Sequence, residues 1–349
     1  MVAGAGMAGL VAAARARELG AEPLVFEKLP RAGGSLLLSS GVVWRHRDFE
    51  AFRRDCPDGD ERLQRLVFER LDRGLRWLES LGAPVVERGT GNPLTTGVRL
   101  DPAGIVAVLL EAAGPVRLGE PLREPPDDGT PLVLATGGFQ SDRELLREHV
   151  TAEAGELMLR AAPGSTGDGL RIGLASGAVL SEGMDEIYGR NMPAPPARVE
   201  EHDFARLAQL YARHAEVSNG RGERYEARTW SEVDVVQWTA RQPGARAWFG
   251  VRDESLGERV RDRTVGEMVE AAALAGAPVR RENGCLTVET VAGVTATLGG
   301  LRVDERAQAA PGVFACGGDV GGIATGGWSS GLGAALVLGR VAAESALGA

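Results

Sequence analysis

A glycine-rich run near the start of the chain carries the clearest chemical signal in the sequence. It reads Gly4-Ala5-Gly6-Met7-Ala8-Gly9, and the acidic Glu27 follows 18 residues after Gly9. Between a strand and a helix, the first glycine of such a run turns tightly, the second admits a pyrophosphate and the third lets helix pack on strand. An acidic residue ending the next strand can accept hydrogen bonds from ribose hydroxyls. The spacing predicts a dinucleotide site, with Glu27 as a simple strand cap as the alternative.

A second glycine-flanked motif lies near the end of the sequence. Gly327-Trp328-Ser329-Ser330-Gly331 has the spacing of the nucleophile elbow of serine hydrolases. That chemistry requires an acid and then a histidine farther along the chain, whereas the last histidine, His214, precedes Ser329. The order of residues therefore disfavours a hydrolase.

Histidines and cysteines give no sign of a metal site. They show neither an HxxxH spacing nor a CxxC pair, so we predict no metal, no zinc ribbon and no disulfide framework. We expect the histidines on the solvated surface and the chain in a reducing cytoplasm. The residues concerned are His46, His149, His202, His214, Cys56, Cys285 and Cys316.

The composition excludes several classes of function. Asp and Glu outnumber Lys and Arg by 48 to 39, so no basic field exists to attract a nucleic acid. Lys28 is the only lysine, which leaves almost no candidate for Schiff-base chemistry. Apolar stretches are far shorter than the roughly 20 residues that span a bilayer, so we expect no membrane span.

The elements around the first motif form a strand–helix–strand unit. A helix is predicted over residues 7–19, Gly20 follows it, and residues 23–26 form a second buried strand. Only three residues precede Gly4, which is short for a strand, so we expect the natural chain to start upstream.

Farther along, helical and strand patterns alternate. One or two amphipathic helices are predicted over residues 49–81, with a core face formed by Leu63, Leu66, Val67, Leu71, Leu75 and Leu78. A helix near residues 102–113, strands at 131–135 and 312–316 that end in glycines, and a C-terminal helix complete an α/β domain. Residues 181–290 differ in texture and hold all three tyrosines, so we predict an inserted cap there, within a domain formed by residues 1–180 and 291–349.

Six further motifs follow in order along the chain. They are Arg31-Ala32-Gly33-Gly34-Ser35, Ala135-Thr136-Gly137-Gly138-Phe139, Thr166-Gly167-Asp168-Gly169, Asn219-Gly220-Arg221-Gly222-Glu223-Arg224-Tyr225, Thr297-Leu298-Gly299-Gly300 and Gly317-Gly318-Asp319. Together with the first run, this series resembles the flavoproteins of the fumarate reductase, succinate dehydrogenase and 3-ketosteroid dehydrogenase superfamily over most of the chain.

The resemblance implies a Rossmann-like FAD-binding domain with a smaller inserted α+β cap that binds substrate. It implies that Asp319 binds the ribitol and that the amides near Gly331 and Leu332 face the flavin pyrimidine edge. Since only one complete fingerprint is present, no separate nicotinamide domain is expected. The cofactor contacts expected on this basis are Gly4, Gly6, Met7, Ala8, Gly9, Glu27, Lys28, Gly33, Gly34, Ser35, Ser40, Gly41, Ala135, Thr136, Gly137, Asp168, Gly318, Asp319, Ser330, Gly331 and Leu332.

Departures from the family narrow the expected substrate. Where members that handle dicarboxylates carry a histidine and two arginines, this chain has Ala296, Glu232 and Ser330, although Arg228 remains a substitute if the alignment slips. Losing these cations removes the fork geometry that carboxylates need, so we expect a neutral, fairly apolar substrate. Ser35 stands where succinate dehydrogenases attach FAD to a histidine, so the FAD is expected to be noncovalent.

The chemistry that remains is that of the ketosteroid dehydrogenases. Hydride passes between carbon and flavin N5 while an acid or base moves a proton beside a carbonyl. For the catalytic residues we predict Tyr188 as the first choice, Glu232 as a further acid or base, and Arg190 as the group that polarises the carbonyl. Tyr188 packing at a hinge is the structural alternative, and Tyr225 is expected to be structural.

Other interpretations remain open from the sequence. The flavin could serve alcohol or amine oxidation, or a non-redox isomerase or hydratase, or a module without catalysis. The small-molecule substrate, the direction of reaction, the external electron acceptor or donor and the oligomeric state are not visible in the sequence.

Overall fold

The computed structural model describes residues 1–227 and 232–349. Contacts within the chain divide it into two compact units. The first unit comprises Met1–Asp142, Ala162–Met184 and Thr297–Ala349, and the second comprises Arg143–Ala161 and Asp185–Ala296.

The described residues form the following regular elements. The helices are α1 (Met7–Glu18), α2 (Phe49–Asp55), α3 (Glu61–Ser80), α4 (Pro102–Ala113), α5 (Arg143–His149), α6 (Asp168–Ala175), α7 (Glu232–Ala240), α8 (Val265–Leu274) and α9 (Gly331–Ala346). The strands are β1 (Val2–Ala3), β2 (Val25–Glu27), β3 (Val42–His46), β4 (Val85–Arg88), β5 (Thr95–Leu100), β6 (Val116–Leu118), β7 (Leu132–Leu134), β8 (Met158–Leu159), β9 (Ile187–Pro193), β10 (Glu216–Ser218), β11 (Arg246–Arg252), β12 (Arg259–Val260), β13 (Arg263–Thr264), β14 (Val279–Glu282), β15 (Cys285–Thr297), β16 (Gln308–Ala310) and β17 (Val313–Ala315).

A six-stranded sheet in the order β16-β17-β7-β1-β2-β6 forms the centre of the first unit. Its strands pair in parallel, except that β16 runs antiparallel to β17 at one edge. The strand order reverses beside β1, so the turns that follow β1 and β7 meet at one edge of the sheet. Such a switch point is where open α/β sheets bind ligands. The sheet confirms the α/β, Rossmann-like prediction.

Helices cover this sheet and pack closely where glycine leaves room. A Cβ atom on Gly339 of α9 would lie 2.6 Å from the carbonyl oxygen of Ala8 in α1. A Cβ atom on Gly74 of α3 would lie 3.1 Å from Leu336 Cγ of α9. The apolar face predicted for α3 is confirmed, since its members are buried: Leu63, Leu66, Val67, Leu71, Leu75 and Leu78. A small antiparallel sheet, β3-β5-β4, belongs to the same unit.

The second unit contains a sheet in the order β10-β11-β15-β14, and β8 and β9 also pair with β15. Residues 143–161 belong to this unit, whereas the sequence placed them in the flanking domain. Their assignment follows from the pairing of β8 with β15 and from the Thr151 hydroxyl, which donates to Ala240 O at 2.8 Å. The sequence did not show this because the strand β8 has only two residues.

None of the helices in residues 1–227 and 232–349 is long and apolar enough to cross a membrane. The same residues contain no cluster of His, Cys, Asp and Glu side chains that could hold a metal ion.

Candidate functional site

The turn after β1 needs glycine at two positions for steric reasons. Gly4 has φ +99°, and a Cβ atom there would lie 2.3 Å from Ala135 O on the neighbouring turn. A Cβ atom on Gly9 would lie 1.9 Å from Gly4 O, because α1 packs directly against the turn. These contacts account for the first and third glycines of the motif.

Gly6 has a different role, because a Cβ atom there would meet nothing within 4 Å. It precedes α1, whose first turn has neither a capping side chain nor an acidic residue. The amides at this helix end therefore face an open space suited to an anion such as a pyrophosphate. The open face of Gly6 fits the diphosphate of a dinucleotide such as FAD.

Glu27 is buried and joins the turn to the end of β2. Its Oε2 accepts from Ala5 N and its Oε1 accepts from Leu29 N, both at 2.8 Å. These backbone contacts are the ones expected if Glu27 is a simple strand cap. Each carboxylate oxygen keeps a further lone pair, so the expected ribose contact stays a prediction.

Asp319 organises the turn that follows β7. Its carboxylate, only 2% exposed, accepts from Thr136 N, from Thr136 Oγ1 at 2.9 Å and from Gly138 N at 3.2 Å. Burial raises the pKa of this carboxyl, and the hydrogen bonds from the turn oppose that shift. Asp319 therefore shapes the loop, and its expected contact with a ribitol stays a prediction.

The start of α9 is a second open helix end in the first unit. Ser330 caps it, with its Oγ accepting from Gly333 N at 3.0 Å, and Trp44 N donates to the same oxygen at 3.3 Å. Gly331 is exposed, and the first turn contains no acidic residue. An electron-rich ring edge would be stabilised at these amides.

Lys28 ties the end of β2 to α6. Its Nζ donates to Thr166 Oγ1 at 2.6 Å and to Asp168 Oδ2 at 2.7 Å. The predicted cofactor residues all lie in the first unit. Of those not described above, Gly33, Gly34 and Gly41 have positive φ, and Gly318 lies against Gly137. Met7, Ala8 and Ala135 are buried, the Ser35 hydroxyl accepts from Ala162 N, and Ser40 is exposed.

The second unit brings the predicted catalytic residues together. Tyr188 and Arg190 lie two residues apart on β9, and the Arg190 guanidinium stands 4.8 Å from the centroid of the Tyr188 ring. Arg190 is 9% exposed, and one of its nitrogens, Nη1, donates to Gly189 O at 2.9 Å. Its other donors make no hydrogen bond within the described part of the chain, so they are available to a ligand.

Glu232, the first residue of α7, completes this group. Burial raises the pKa of its carboxyl to about 6, and the nearby Arg190 charge and a hydrogen bond from Ala212 N oppose the rise. Its Oε2 is buried and has no hydrogen-bond partner among the described residues. A carboxyl with a pKa near neutrality and a free oxygen is suited to exchange protons.

Three residues of this cluster were missed by the sequence analysis. Burial lowers the pKa of Arg160 to about 10, and Tyr188 and Arg190 act on its charge. Arg261, in the turn between β12 and β13, has φ +59° and acts on Glu232. Tyr211 is fully buried and senses the Glu232 charge, and its hydroxyl has no hydrogen-bond partner among the residues that the structure describes. No motif marks them, because they come from separate loops that only the fold brings close.

Other candidates have structural surroundings. The Tyr225 hydroxyl donates to Asp234 Oδ2 at 2.8 Å, as expected for a structural tyrosine. Arg228, the possible substitute cation, lies outside the described residues. The expectation of surface histidines is wrong for His46, which is 2% exposed with Nε2 3.2 Å from Asp55 Oδ2. Its ring stacks on Phe52, and this aromatic packing offsets the loss of water.

Comparisons with known proteins identify the family of this chain. A family model described as an FAD binding domain matches residues 1–107 and 128–336. No curated protein sequence matches the chain.

Several solved structures share the fold. A flavocytochrome c3 fumarate reductase in an open conformation is 20% identical, with a TM-score of 0.72 over 99% of this chain and 77% of that one. The 3-ketosteroid-Δ4-(5α)-dehydrogenase of Rhodococcus jostii RHA1 is 20% identical, with a TM-score of 0.73 over 99% and 95% of the two chains. The 3-ketosteroid Δ1-dehydrogenase of Sterolibacterium denitrificans is 15% identical, with a TM-score of 0.71 over 100% and 99%.

Proposed function

Because the chain belongs to the FAD binding domain family, we propose that it is an FAD-dependent oxidoreductase that dehydrogenates a ketone at its α and β carbons or catalyses the reverse reduction of an enone. The proposed substrate is a small, neutral, fairly apolar molecule, and an external acceptor or donor completes the electron balance. Bound FAD supplies hydride acceptance or donation.

One observation carries this proposal. Tyr188, Arg190 and Glu232 lie in a single partly buried cluster, with the guanidinium 4.8 Å from the phenol ring and its charge acting on the carboxyl. A carbonyl substrate needs a cation at its oxygen and a proton-exchanging group at its α carbon. This cluster contains both kinds of group.

The roles of the residues follow from their free atoms. Arg190 has N–H groups that make no hydrogen bond among the described residues, so it binds the carbonyl oxygen. There it stabilises the negative charge that develops as the α proton leaves. Glu232 has a free oxygen and a pKa of about 6, so its carboxylate removes the α proton in dehydrogenation and its acid form returns it in enone reduction. Tyr188 lies under Arg190 and holds the guanidinium in place, with its hydroxyl as the alternative proton carrier.

The chemistry of the structural relatives adds support. The Rhodococcus enzyme was solved with 4-androstene-3,17-dione, and the Sterolibacterium enzyme with 1,4-androstadiene-3,17-dione. Both compounds carry a carbonyl beside a carbon–carbon double bond. The sequence lacks the three cations of dicarboxylate enzymes, having Ala296, Glu232 and Ser330 at those places.

An anaerobic titration tests the proposal. Protein with oxidised FAD is mixed with a panel of neutral cyclic ketones, and protein with reduced FAD is mixed with the matching enones, while absorbance at about 450 nm is followed. We expect one ketone to bleach the band or one enone to restore it. Fumarate, the dicarboxylate control, should leave the reduced flavin bleached.

Three outcomes would contradict the proposal. Bleaching by an alcohol or amine alone would indicate oxidation at a different bond. Conversion of a carbonyl compound without any change of absorbance during turnover would indicate a non-redox isomerase or hydratase. A flavin indifferent to the whole panel would reject carbonyl chemistry.

A further inference from the structure

A small cavity in the first unit adjoins a buried guanidinium. The cavity has a volume of about 20 Å³, which suits one water-sized occupant. Helices α3 and α9 supply its lining residues, which are Arg70, Arg73, Gly74, Val337, Arg340, Val341 and Glu344.

Arg340 is the buried member of this lining. Arg340 is 8% exposed. The Trp77 ring covers one face of its guanidinium, with Cζ 4.6 Å from the ring centroid. Its Nη1 is buried without a hydrogen-bond partner in the described part of the chain. Burying a donor of a cation without a hydrogen-bond partner costs free energy, so an acceptor beside this nitrogen would stabilise the folded protein.

The nearby carboxylate is already committed to another arginine. Glu344 Oε1 accepts from Arg15 Nε at 2.9 Å and lies 3.8 Å from Arg340 Nη2, beyond hydrogen-bond reach. Its Oε2 lies 3.7 Å from Arg70 Nη1. Glu344 therefore balances part of the charge without satisfying Arg340.

Positive charge is in excess around the cavity. The charge of Arg340 interacts with those of two further arginines and two glutamates, which are Arg15, Arg73, Glu18 and Glu344. Arg70 pairs with Glu344, so this group contains four guanidiniums and two carboxylates. Burial and repulsion from Arg15 and Arg73 lower the pKa of Arg340. A negative occupant would relieve both the repulsion and the unpaired donor.

We propose that this cavity binds one small monovalent anion of the size of chloride, held by Arg340 with Arg70 and Arg73. The free volume of about 20 Å³ beside Arg340 matches a single small ion. The excess of guanidiniums favours an anion over a water molecule. This site is separate from the proposed reaction and stands whether or not that proposal holds.

Thermal unfolding of the FAD-loaded protein in two salts provides the first test. Sodium chloride and sodium gluconate are compared at the same ionic strength of about 0.15 M, so that only the small anion differs. Because a ligand of the folded state raises its stability, we expect the Tm to be about 2 °C higher in chloride. Equal Tm values in the two salts would overturn the proposal.

Variants assign the effect to the cavity. Arg340→Met keeps an apolar stem against Trp77 and should abolish the difference between the salts. If that variant fails to fold, Arg73→Gln, at an exposed position of the same lining, should reduce the difference. Arg76→Met, at an exposed position of α3 outside the cavity, is the matched control and should keep the full difference.

Crystals soaked in bromide give the direct test. An anomalous peak in the cavity within hydrogen-bond distance of Arg340 would support the site. Density there without anomalous signal would identify water as the occupant and overturn the proposal.

Discussion

Two carboxylates with buried oxygens, one in each unit, have opposite surroundings. Asp319 in the first unit accepts from Thr136 and from Gly138, whereas Glu232 Oε2 in the second unit has no partner among the described residues. Burial raises the pKa of both groups, so the shift by itself does not separate their roles. Hydrogen bonding does: the first carboxylate fixes a loop, and the second is left with a free oxygen.

This difference extends to the way each region is built. The first unit shapes its site with backbone, through glycine turns and two helix ends with open amides. The second unit shapes its cluster with side chains from β9, α7 and loops. The first arrangement suits a constant cofactor, and the second suits a substrate that differs between relatives.

The largest effect is expected at Glu232, whose Oε2 has no hydrogen-bond partner among the described residues. Glu232→Gln should lower kcat about 10²- to 10⁴-fold on the substrate found by titration, because an amide cannot exchange the proton. FAD content should stay unchanged, since the predicted cofactor residues belong to the first unit. The matched control is Glu282→Gln on the exposed strand β14, which should keep wild-type activity. A Glu232→Gln enzyme with normal kcat would remove Glu232 from the mechanism.

The pH profile sharpens the same assignment. Dehydrogenation requires the ionised carboxylate, so its rate should rise as pH increases through about 6 and level off above it. Enone reduction requires the acid form, so its proton-transfer step should slow over the same range. Stopped-flow traces at a series of pH values measure how both rates depend on pH. The pH dependence near pH 6 should be absent in Glu232→Gln. If it remained in that variant, the titrating group would be another residue, such as Tyr188.

The next effect tests the backbone site. Gly9→Ala should lower stability by about 3 kcal/mol, because its Cβ would lie 1.9 Å from Gly4 O. Gly6→Ala meets nothing within 4 Å, so the apoprotein should keep its Tm while FAD affinity falls. Thermal unfolding without FAD and titration with FAD separate the two outcomes. Equal destabilisation of the two apoproteins would contradict this division of roles.

A smaller effect is expected at the paired carboxylate. Asp319→Asn should cost about 2 kcal/mol, because an amide loses the charge and presents a donor toward the donors of the Thr136 turn. Urea unfolding measures this loss. Asp304→Asn is the control: Asp304 caps an exposed turn through Arg306 N and Gln308 N, and its replacement should cost less than half as much. Equal costs would mean that burial of Asp319 adds nothing.

The smallest effect separates two tyrosines of the second unit. Tyr225→Phe removes one hydrogen bond to the buried Asp234 and should cost about 1 kcal/mol of stability, with kcat unchanged. Tyr188→Phe should instead change activity or its pH dependence. Paired unfolding and kinetic measurements compare the two variants. If Tyr225→Phe lost activity and Tyr188→Phe did not, the assignment of the two tyrosines would be reversed.

These contrasts explain which parts the sequence predicted. The β1 turn was predictable because its three glycines stand at a fixed spacing along the chain, and a Cβ atom would clash at two of them, Gly4 and Gly9. Asp319 was found by its motif, but its partners at Thr136 and Gly138 are far away in sequence. Arg160 and Arg261 were missed because their proximity to Tyr188 and Arg190 arises only from tertiary folding.

The expected domain boundary shows the same limit. A sheet partner of two residues, Met158–Leu159, leaves no periodic pattern, yet it places residues 143–161 with the second unit. The burial of His46 was also hidden, because its partners Asp55 and Phe52 lie on the following helix. Local patterns report elements, whereas packing decides which of them belong together.

The contact of Lys28 with Thr166 and Asp168 gives this protein a built-in reporter. Lys28 is the only lysine of the sequence, and the amine of Met1 is held at Pro131 O, 2.7 Å away. An amine-specific reagent therefore has one side-chain target in the whole sequence, at the end of β2 beside the dinucleotide turn. A peptide-level mass measurement of labelling, which separates Lys28 from the N-terminal amine, would read the state of that edge of the sheet with and without cofactor, without engineering a label into the protein.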